Sequence, residues 1–182
     1  MRRPVLYTIG HSTRPIDEFL EFLNAHGVEK VVDVRTIPRS RHNPQYDQMA
    51  LRKILRAAHI GYQHMPRLGG LRHSRKDSPN TGWINPSFRG FADHMQSEAF
   101  RDGLRRLEAE ARKRATAIMC AEGFVARCHR SLIADALTVD GWRVRHIQSR
   151  KTATLHRRTQ FLKVRRGRLL YPGPAQTDAG GS

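Results

Sequence analysis

The sequence has only two cysteines, and it lacks any apolar run long enough to cross a bilayer. Two cysteines cannot form the disulfide framework of a small secreted protein. Residues 1–4 lead straight into a predicted strand, without the apolar core of a signal peptide. We therefore expect a cytoplasmic protein without membrane contacts, whose cysteines are free thiols, a redox pair or metal ligands.

Acidic residues are also scarce, with 16 Asp and Glu against 33 Lys and Arg, so the formal net charge is +17. A field of this sign attracts phosphates and nucleic acid, although an arginine-rich surface without any partner gives the same composition. Aromatic residues make up 7% of the chain and do not interleave with its basic C-terminal part, which disfavours a stacking platform for single strands. An anionic small molecule and nucleic acid are both candidate partners, and the oligomeric state is left open.

Short apolar runs alternate with amphipathic segments along most of the chain. Strands are predicted at residues 5–10, 31–34, 60–65, 116–120 and 144–147. Helices are predicted at residues 15–26, 48–58, 88–95, 97–114 and 130–139. Because this alternation is typical of right-handed crossover units, the sequence predicts an α/β fold. The expected architecture is a three-layer sandwich with a mostly parallel central sheet and helices on both faces.

The composition changes after Ser149, since no acidic residue occurs between Asp140 and Asp178. Residues 162–171 have the pattern of a short basic hairpin with a turn around Gly167. We expect residues 1–149 to form a single α/β domain and residues 150–172 to form a basic C-terminal extension packed on it. Residues 173–182, rich in Gly, Pro and Ser, are expected to form a disordered tail.

Polar side chains follow four of the predicted strands. The carboxyl ends of parallel strands meet at one edge of a sheet, where open α/β folds bind their ligands. A structural role explains any one of these side chains, but their coincidence at four strand ends favours a shared site. The four groups are His11 and Ser12, then Asp33 and Arg35, then His64 with the loop glycines Gly69 and Gly70, and finally Cys120 and Glu122.

The predicted helix after the fourth strand begins near Cys128, His129 and Arg130. Helix amides and nearby cations favour a thiolate at Cys128, while a small residue that packs the first turn is an equal alternative. Cys120 ends a buried strand, where a packing thiol is expected unless the side chain faces the cleft. Glu122 is a candidate general acid or base, or else a partner of the helix N-terminus.

Two groups of candidate site residues follow from these positions. Arginine side chains can clamp an anion through two hydrogen bonds, or they can simply carry surface charge. The candidate catalytic residues are Cys120, Glu122, Cys128, His129 and His11. The candidate substrate-binding residues are Ser12, Asp33, Arg35, Arg41, Gly69, Gly70 and Arg130.

Several sharper mechanisms do not fit the spacing. A thiol phosphatase needs an arginine six positions after its cysteine, but Arg127 comes one position late for Cys120, and Cys128 has Ala134 at that position. A closed zinc site needs four ligands, usually in close pairs, and no such pair occurs, so no metal is predicted. The chain also lacks a glycine-rich dinucleotide fingerprint and a Walker loop. The sequence therefore identifies no cofactor.

The chain resembles the bacterial family known as domain of unknown function 488, over about residues 7–147. The motifs that carry the resemblance are T-I-G-H-S-T at residues 8–13, D-V-R at 33–35, P-x-S-R at 38–41, L-G-G at 68–70, F-R-G-F-A-D-H-M at 88–95, M-C-A-E at 119–122 and C-H-R-S-L-I-A-D at 128–135. Members usually have a tryptophan or proline just before the C-H-R unit, where this chain has Phe124-Val125-Ala126. The resemblance implies an α/β sandwich with a polar cleft at the strand ends, and it implies no particular reaction.

Three functions are compatible with these observations. The leading hypothesis is an enzyme that acts on an anionic substrate, such as a nucleotide or nucleic acid. In it a cysteine is the nucleophile or redox centre, Glu122 and His11 handle protons, and Arg35 and Arg130 hold the anion. The second hypothesis is a nucleic-acid-binding accessory protein that uses the basic segment 143–168. The third is a metal or redox sensor that uses Cys120 and Cys128.

Overall fold

The structure is a computed structural model that describes residues 3–174. The expected disordered tail falls largely on residues 175–182, which lie outside the described residues. The strands are β1 Val5–Gly10, β2 Lys30–Asp33, β3 Gly61–His64, β4 Thr116–Cys120, β5 Arg143–Ile147, β6 Ala153–Leu155, β7 Lys163–Arg165 and β8 Arg168–Leu170. The helices are α1 Ile16–Ala25, α2 Gln48–Ala57, α3 Pro86–His94, α4 Glu98–Lys113 and α5 Arg130–Val139.

A six-stranded sheet of order β3-β2-β4-β1-β5-β6 forms the middle layer. Its first five strands are parallel, and β6 pairs with β5 in the antiparallel direction. The predicted α/β sandwich with a mostly parallel sheet is confirmed. The additional strand β6 has only three residues, too few for a visible alternation of apolar and polar side chains.

The predicted C-terminal hairpin is also present, as the separate antiparallel pair β7–β8. Its two turn residues, Arg166 and Gly167, have φ angles of 49° and 74°. Positive φ at both central residues is the backbone of a tight hairpin turn, and Gly167 adopts it without steric cost.

Each face of the sheet is covered by its own set of helices. On one face α1 and α2 bury Phe19, Leu23, Leu51 and Leu55 against strand residues such as Ile9. On the other face α3, α4 and α5 bury apolar side chains that include Phe91, Leu107 and Leu132. Among residues 3–174, no helix is long and apolar enough to span a membrane.

The chain order places a ligand crevice between β2 and β4. From β2 the chain passes through α2 to β3, on the side away from β4, whereas from β4 it passes through α5 to β5, on the far side of β1. The two connections leave neighbouring strands in opposite directions, and ligands of open α/β sheets bind in the crevice at such a switch point.

Gly10 lets the segment after β4 cross directly over the end of β1. A Cβ atom at residue 10 would lie 2.0 Å from the carbonyl oxygen of Glu122 and 2.8 Å from Nη2 of Arg130. The amides of His11 and Ser12 donate to the carbonyls of Cys120 and Ala121, both at 2.9 Å. The ends of β1 and β4 are thereby held together.

The segment after β5 packs back on the rest of the chain. Tyr171 is fully buried, and its amide donates to Oδ1 of Asn80 at 2.9 Å. The Nε2 group of Gln96 donates to the carbonyl of Leu169 at 2.6 Å. These contacts join the hairpin and the residues after it to the loop before α3 and to the end of that helix.

Candidate functional site

A cavity of about 330 Å³, here called the main cavity, opens at the carboxyl ends of β2 and β4. It combines two thiols, one carboxylate, an imidazole and three guanidinium groups with apolar side chains at its rim. Its lining residues are Arg35, Thr36, Ile37, Arg39, Gly70, Leu71, Ser87, Phe88, Cys120, Ala121, Glu122, Arg127, Cys128 and His129.

The sulfur of Cys128 lies at the inner wall of the main cavity and faces several hydrogen-bond donors. The backbone amide of Arg130 donates to this sulfur at 3.5 Å, and Nε of the same residue donates to it at 3.3 Å. The guanidinium is held in place by Nη2, which donates to the carbonyl of Glu122 at 2.5 Å, and by Nη1, which donates to Oγ1 of Thr8 at 3.2 Å. A buried cation is therefore fixed against this thiol.

These contacts separate the pKa values of the two cysteines. Burial alone raises the pKa of Cys128, but hydrogen bonds from Cys120 and His129 and the charge of Arg130 lower it, and the balance lies well below the ordinary value. The hydrogen bond to Cys128, together with burial, raises the pKa of Cys120 above its ordinary value. The arrangement therefore favours a thiolate at Cys128 that accepts the S–H of Cys120.

His129 lies beside the sulfur of Cys128, and its orientation is fixed. Its Nε2 lies 3.1 Å from the carbonyl oxygen of Val34, and since a carbonyl can only accept, Nε2 carries a hydrogen. Nδ1 then faces Sγ of Cys128 at 3.7 Å. The ring packs closely on Gly70, where a Cβ atom would lie 2.5 Å from Nδ1. The sequence-predicted glycine therefore permits the contact between this ring and the thiol.

Arg35 reaches the main cavity from a buried ion pair. Asp33 accepts its Nε at 2.9 Å and its Nη2 at 2.6 Å, and it also accepts the hydroxyl of Tyr62 at 2.8 Å. Nη2 donates in addition to the carbonyl of Tyr46, and Nη1 meets Nε2 of His11 at 3.3 Å. Since a guanidinium has five N–H groups, one remains without a partner among residues 3–174. Asp33 itself is fully buried and does not line the cavity.

His11 lies behind Arg35 rather than in the main cavity. Its ring stacks on Tyr46 at 4.1 Å between centroids, and its Nδ1 lies 2.8 Å from the carbonyl of Ser12. Because that carbonyl needs a donor, Nε2 is the lone-pair nitrogen that accepts from Arg35. Burial, opposed by the bond to Ser12, lowers the pKa of His11 to about 4. The imidazole is thus neutral, and both of its nitrogens are engaged.

Glu122 and two further arginines complete the wall of the main cavity. Oε1 of Glu122 accepts the backbone amide of Phe124 at 2.9 Å, which shapes the turn after β4. Arg39 and Arg127 are exposed lining residues. Neither was singled out from the sequence, because nothing in a loop pattern distinguishes a cavity arginine from a surface arginine.

The remaining predicted site residues lie elsewhere. Ser12, which has a φ angle of 47°, and Arg130 line a second cavity of about 690 Å³ that also includes His146. Gly69 is buried against Thr36, and Arg41 is exposed and lines neither cavity.

A buried polar chain behind Arg130 was missed from the sequence. His146, on β5, contacts Thr8 and His156, and His156 contacts Asp135 on α5. Asp135 closes the C-H-R-S-L-I-A-D motif, which was a usable signal. His156 follows β6 in a segment without periodic pattern, so no sequence signal marked it.

A family model described as "Domain of unknown function DUF488" matches residues 15–137, more than half of the chain. The chain belongs to the DUF488 family. The predicted family is thereby confirmed. The T-I-G-H-S-T motif at residues 8–13 and the two buried histidines of β5 and the following segment lie outside the matched residues. No curated protein and no solved structure matches the chain.

Three possible metal ligands of this DUF488 chain lie close together. The sulfurs of Cys120 and Cys128 and a ring nitrogen of His129 are within 4.8 Å of one another. A guanidinium nitrogen already lies 3.3 Å from the sulfur of Cys128, and its positive charge opposes a metal cation there. The geometry therefore fits an ion-paired thiolate better than a metal ligand.

Two buried neutral histidines, His11 and His146, should make the stability of this DUF488 chain sensitive to acid. The pKa of His11 is lowered to about 4 and that of His146 to about 3, mainly by burial, against 6.5 in the unfolded chain. The unfolded state then binds more protons than the folded state below pH 6.5. The stabilisation is fully present above pH 6.5, and we expect about 2 kcal/mol or more to be lost as the pH falls towards 4. Urea unfolding at several pH values measures this loss.

The variant His11→Gln removes one of these titrating groups and should flatten the dependence on pH. His42→Asn is the matched control, because His42 is exposed. Equal slopes for wild type and His11→Gln would contradict the assignment of a neutral buried imidazole at residue 11.

Proposed function

We propose that this protein is a thiolate-dependent enzyme that acts on an anionic substrate, such as a nucleotide or a nucleic-acid end, with Cys128 as the nucleophile. The observation that supports this most is the placement of Nε and the backbone amide of Arg130 at 3.3 and 3.5 Å from the sulfur. A thiolate, and not the thiol, is the reactive form of cysteine. The sulfur belongs to the wall of a cavity whose other side chains can bind an anion.

In the proposed complex the anion lies on the arginines of the main cavity. Arg39 and Arg127 are exposed at its wall, and Arg35 offers its remaining N–H group from a rigid buried setting. Asp33 and His11 then act through Arg35, because they hold its guanidinium in one orientation. The apolar rim residues Leu71 and Phe88 suit a flat ring that is attached to the anionic group.

The proposed reaction is a group transfer in two steps. Before the substrate binds, the proton of Cys128 has already passed to Nδ1 of His129. The thiolate forms a bond to the electrophilic atom of the substrate while the bond to the leaving group breaks. The leaving group keeps that electron pair and takes the proton from His129. A water molecule that gives a proton to Glu122 then attacks the sulfur-bound intermediate, and the thiolate is released. The proton on Glu122 returns through solvent to His129, which restores the starting state. Cys120 supports the thiolate through its S–H.

The test compares two alkylating reagents on the intact protein. Iodoacetamide is neutral and iodoacetate is anionic, and mass spectrometry of peptides separates reaction at Cys128 from reaction at Cys120. We expect Cys128 alone to react at pH 6, with a preference for iodoacetate that weakens as salt screens the arginines. Arg127→Met should reduce this preference, whereas Arg52→Met, an exposed arginine on α2, should not. A Cys128 that titrates like an ordinary thiol, near 8.5, would sink the proposal.

Nucleic-acid binding is a second candidate function. The hairpin β7–β8 exposes Lys163, Arg165, Arg166 and Arg168, and none of them forms an ion pair within residues 3–174. The alkylation assay distinguishes the two functions. A mononucleotide that protects Cys128 supports the enzyme, whereas a duplex that binds in a salt-dependent way without protecting Cys128 supports the accessory protein.

A further inference from the structure

A continuous chain of hydrogen bonds runs from α5 through the segment after β5 to the sulfur of Cys128. Oδ1 of Asp135 lies 2.9 Å from Nε2 of His156, and Nδ1 of His156 lies 3.0 Å from Nε2 of His146. Nδ1 of His146 lies 2.8 Å from Oγ1 of Thr8, which accepts Nη1 of Arg130 at 3.2 Å. The side chains of His156 and Asp135 are 6% and 0% exposed, and the other three residues are no more than 6% exposed.

The two ends of this chain assign every hydrogen between them. A carboxylate can only accept, so Nε2 of His156 carries a hydrogen, and in the tautomer with this single ring hydrogen Nδ1 accepts. His146 must then donate from Nε2 and accept at Nδ1. The hydroxyl of Thr8 donates to that Nδ1, and its lone pairs are left for Arg130, which can only donate. All the hydrogen bonds between Asp135 and Thr8 therefore run in the same direction, and each donor and acceptor in them has a partner.

Breaking this series of hydrogen bonds would release Arg130 from one of its contacts. Without an acceptor at residue 156, His146 can place its hydrogen on Nδ1 instead and donate to Thr8. Oγ1 of Thr8 then accepts from two donors, while its own hydrogen lacks a partner in a fully buried position. Relief of that conflict moves the hydroxyl away from Nη1 of Arg130.

We propose that Asp135, His156 and His146 are positioning residues that hold Arg130 against the sulfur of Cys128, so that the segment after β5 is part of the site. This inference rests on the proposed role of Cys128 as a thiolate. Besides Arg130 and Cys128, the titratable group among residues 3–174 that forms a hydrogen bond to this series of side chains is Tyr171, whose hydroxyl donates to Oδ2 of Asp135 at 3.0 Å. Tyr171 also comes from the C-terminal segment, and the amide of Thr159 donates to Oδ1 of Asp135 at 3.0 Å, so three residues of this segment hold Asp135 in place.

The variants His156→Phe and His156→Gln form a matched pair for the test. Phenylalanine keeps the ring shape but removes both hydrogen bonds. The glutamine amide can accept from His146 and donate to Asp135, and it cannot be protonated. The readout is the rate of iodoacetamide alkylation at Cys128 as a function of pH, without any substrate. A thermal melt confirms that each variant is folded.

We expect His156→Phe to raise the apparent pKa of Cys128 by about one unit, which is a tenfold slower reaction at low pH, and His156→Gln to stay near wild type. Thr8→Val, nearly the same shape, should give the same shift as His156→Phe and serves if that variant does not fold. His26→Phe is the control, because His26 contacts the carbonyl of Ser149 and takes no part in the hydrogen bonds between Asp135 and Arg130. Suppose that the pKa of Cys128 is low in the wild type and that His156→Phe and Thr8→Val both have the pH profile of the wild type. This inference would then be overturned, while the proposed function would stand. An ordinary pKa in the wild type would overturn the proposed function with it.

Discussion

Replacing Arg130 by methionine should slow the alkylation of Cys128 at pH 6 about 100-fold, which corresponds to a rise of two units in its pKa. Cys128 is 3% exposed, so burial opposes its charged form unless a cation is near. Arg130 supplies that cation at 3.3 Å, and methionine fills a similar volume without the charge. The measurement is the rate of reaction with iodoacetamide between pH 5 and 10, followed by mass spectrometry of the Cys128 peptide.

Two further variants show whether the charge or the shape of Arg130 matters. Arg130→Lys keeps the charge but cannot reach the sulfur, Thr8 and Glu122 together, so an intermediate shift is expected. Arg145→Met is the control, because Arg145 is a half-buried arginine that donates to the carbonyl of Ala153 and not to the sulfur. If the methionine variant at residue 130 reacted like wild type, Arg130 would have no part in activating the thiol.

Removal of Asp33 should produce the largest loss of stability. Asp33→Ala leaves the guanidinium of Arg35 buried without its counter-charge, and such a change costs about 3–5 kcal/mol. The pair is enclosed, since the side chains of Arg35 and Asp33 are 5% and 0% exposed. Urea unfolding at pH 7 gives the change in the free energy of unfolding.

The chain offers a matched control for this ion pair. Arg75 and Asp77 have the same spacing and also form two hydrogen bonds, but their side chains are 63% and 72% exposed. Asp77→Ala should leave the unfolding midpoint unchanged, because solvent screens the pair. The double variant Asp33→Ala with Arg35→Met should recover part of the loss, since no charge is left buried. An equal effect of the two single alanine variants would contradict the role given to burial.

The sheet and its helices could be predicted because their signals are local. Apolar runs at residues 5–10 and 116–120 indicate buried strands, and the amphipathic pattern of residues 97–114 indicates a helix against the sheet. The rule that parallel strands end at one edge then brought Cys120, Glu122 and Arg35 together without any knowledge of strand order. These three residues do line one cavity.

The contacts inside the site could not be predicted, because they depend on side-chain orientations that tertiary packing determines. Ser12 and His11 are neighbours in sequence, yet one lines the second cavity and the other is buried under Arg35. Arg41 and Arg39 belong to the same basic loop, and only Arg39 lines the main cavity. The contact of His156 with Asp135 spans 21 residues across a helix, two strands and their loops. The periodicity of apolar residues indicates single helices and strands and carries no information about contacts between such distant elements.

The burial of Tyr171 ties the completion of the site to the order of synthesis. Its amide bonds with Asn80 and its hydroxyl with Asp135, residues separated from it by 91 and 36 positions. A nascent chain that has emerged only as far as β5 contains both cysteines and Arg130, but neither His156 nor Tyr171. Asp135 then lacks both side-chain donors that satisfy it in the finished fold. From the positioning role proposed for Asp135 and His156, we expect Cys128 to gain its full reactivity only after the C-terminal segment has docked, late in folding.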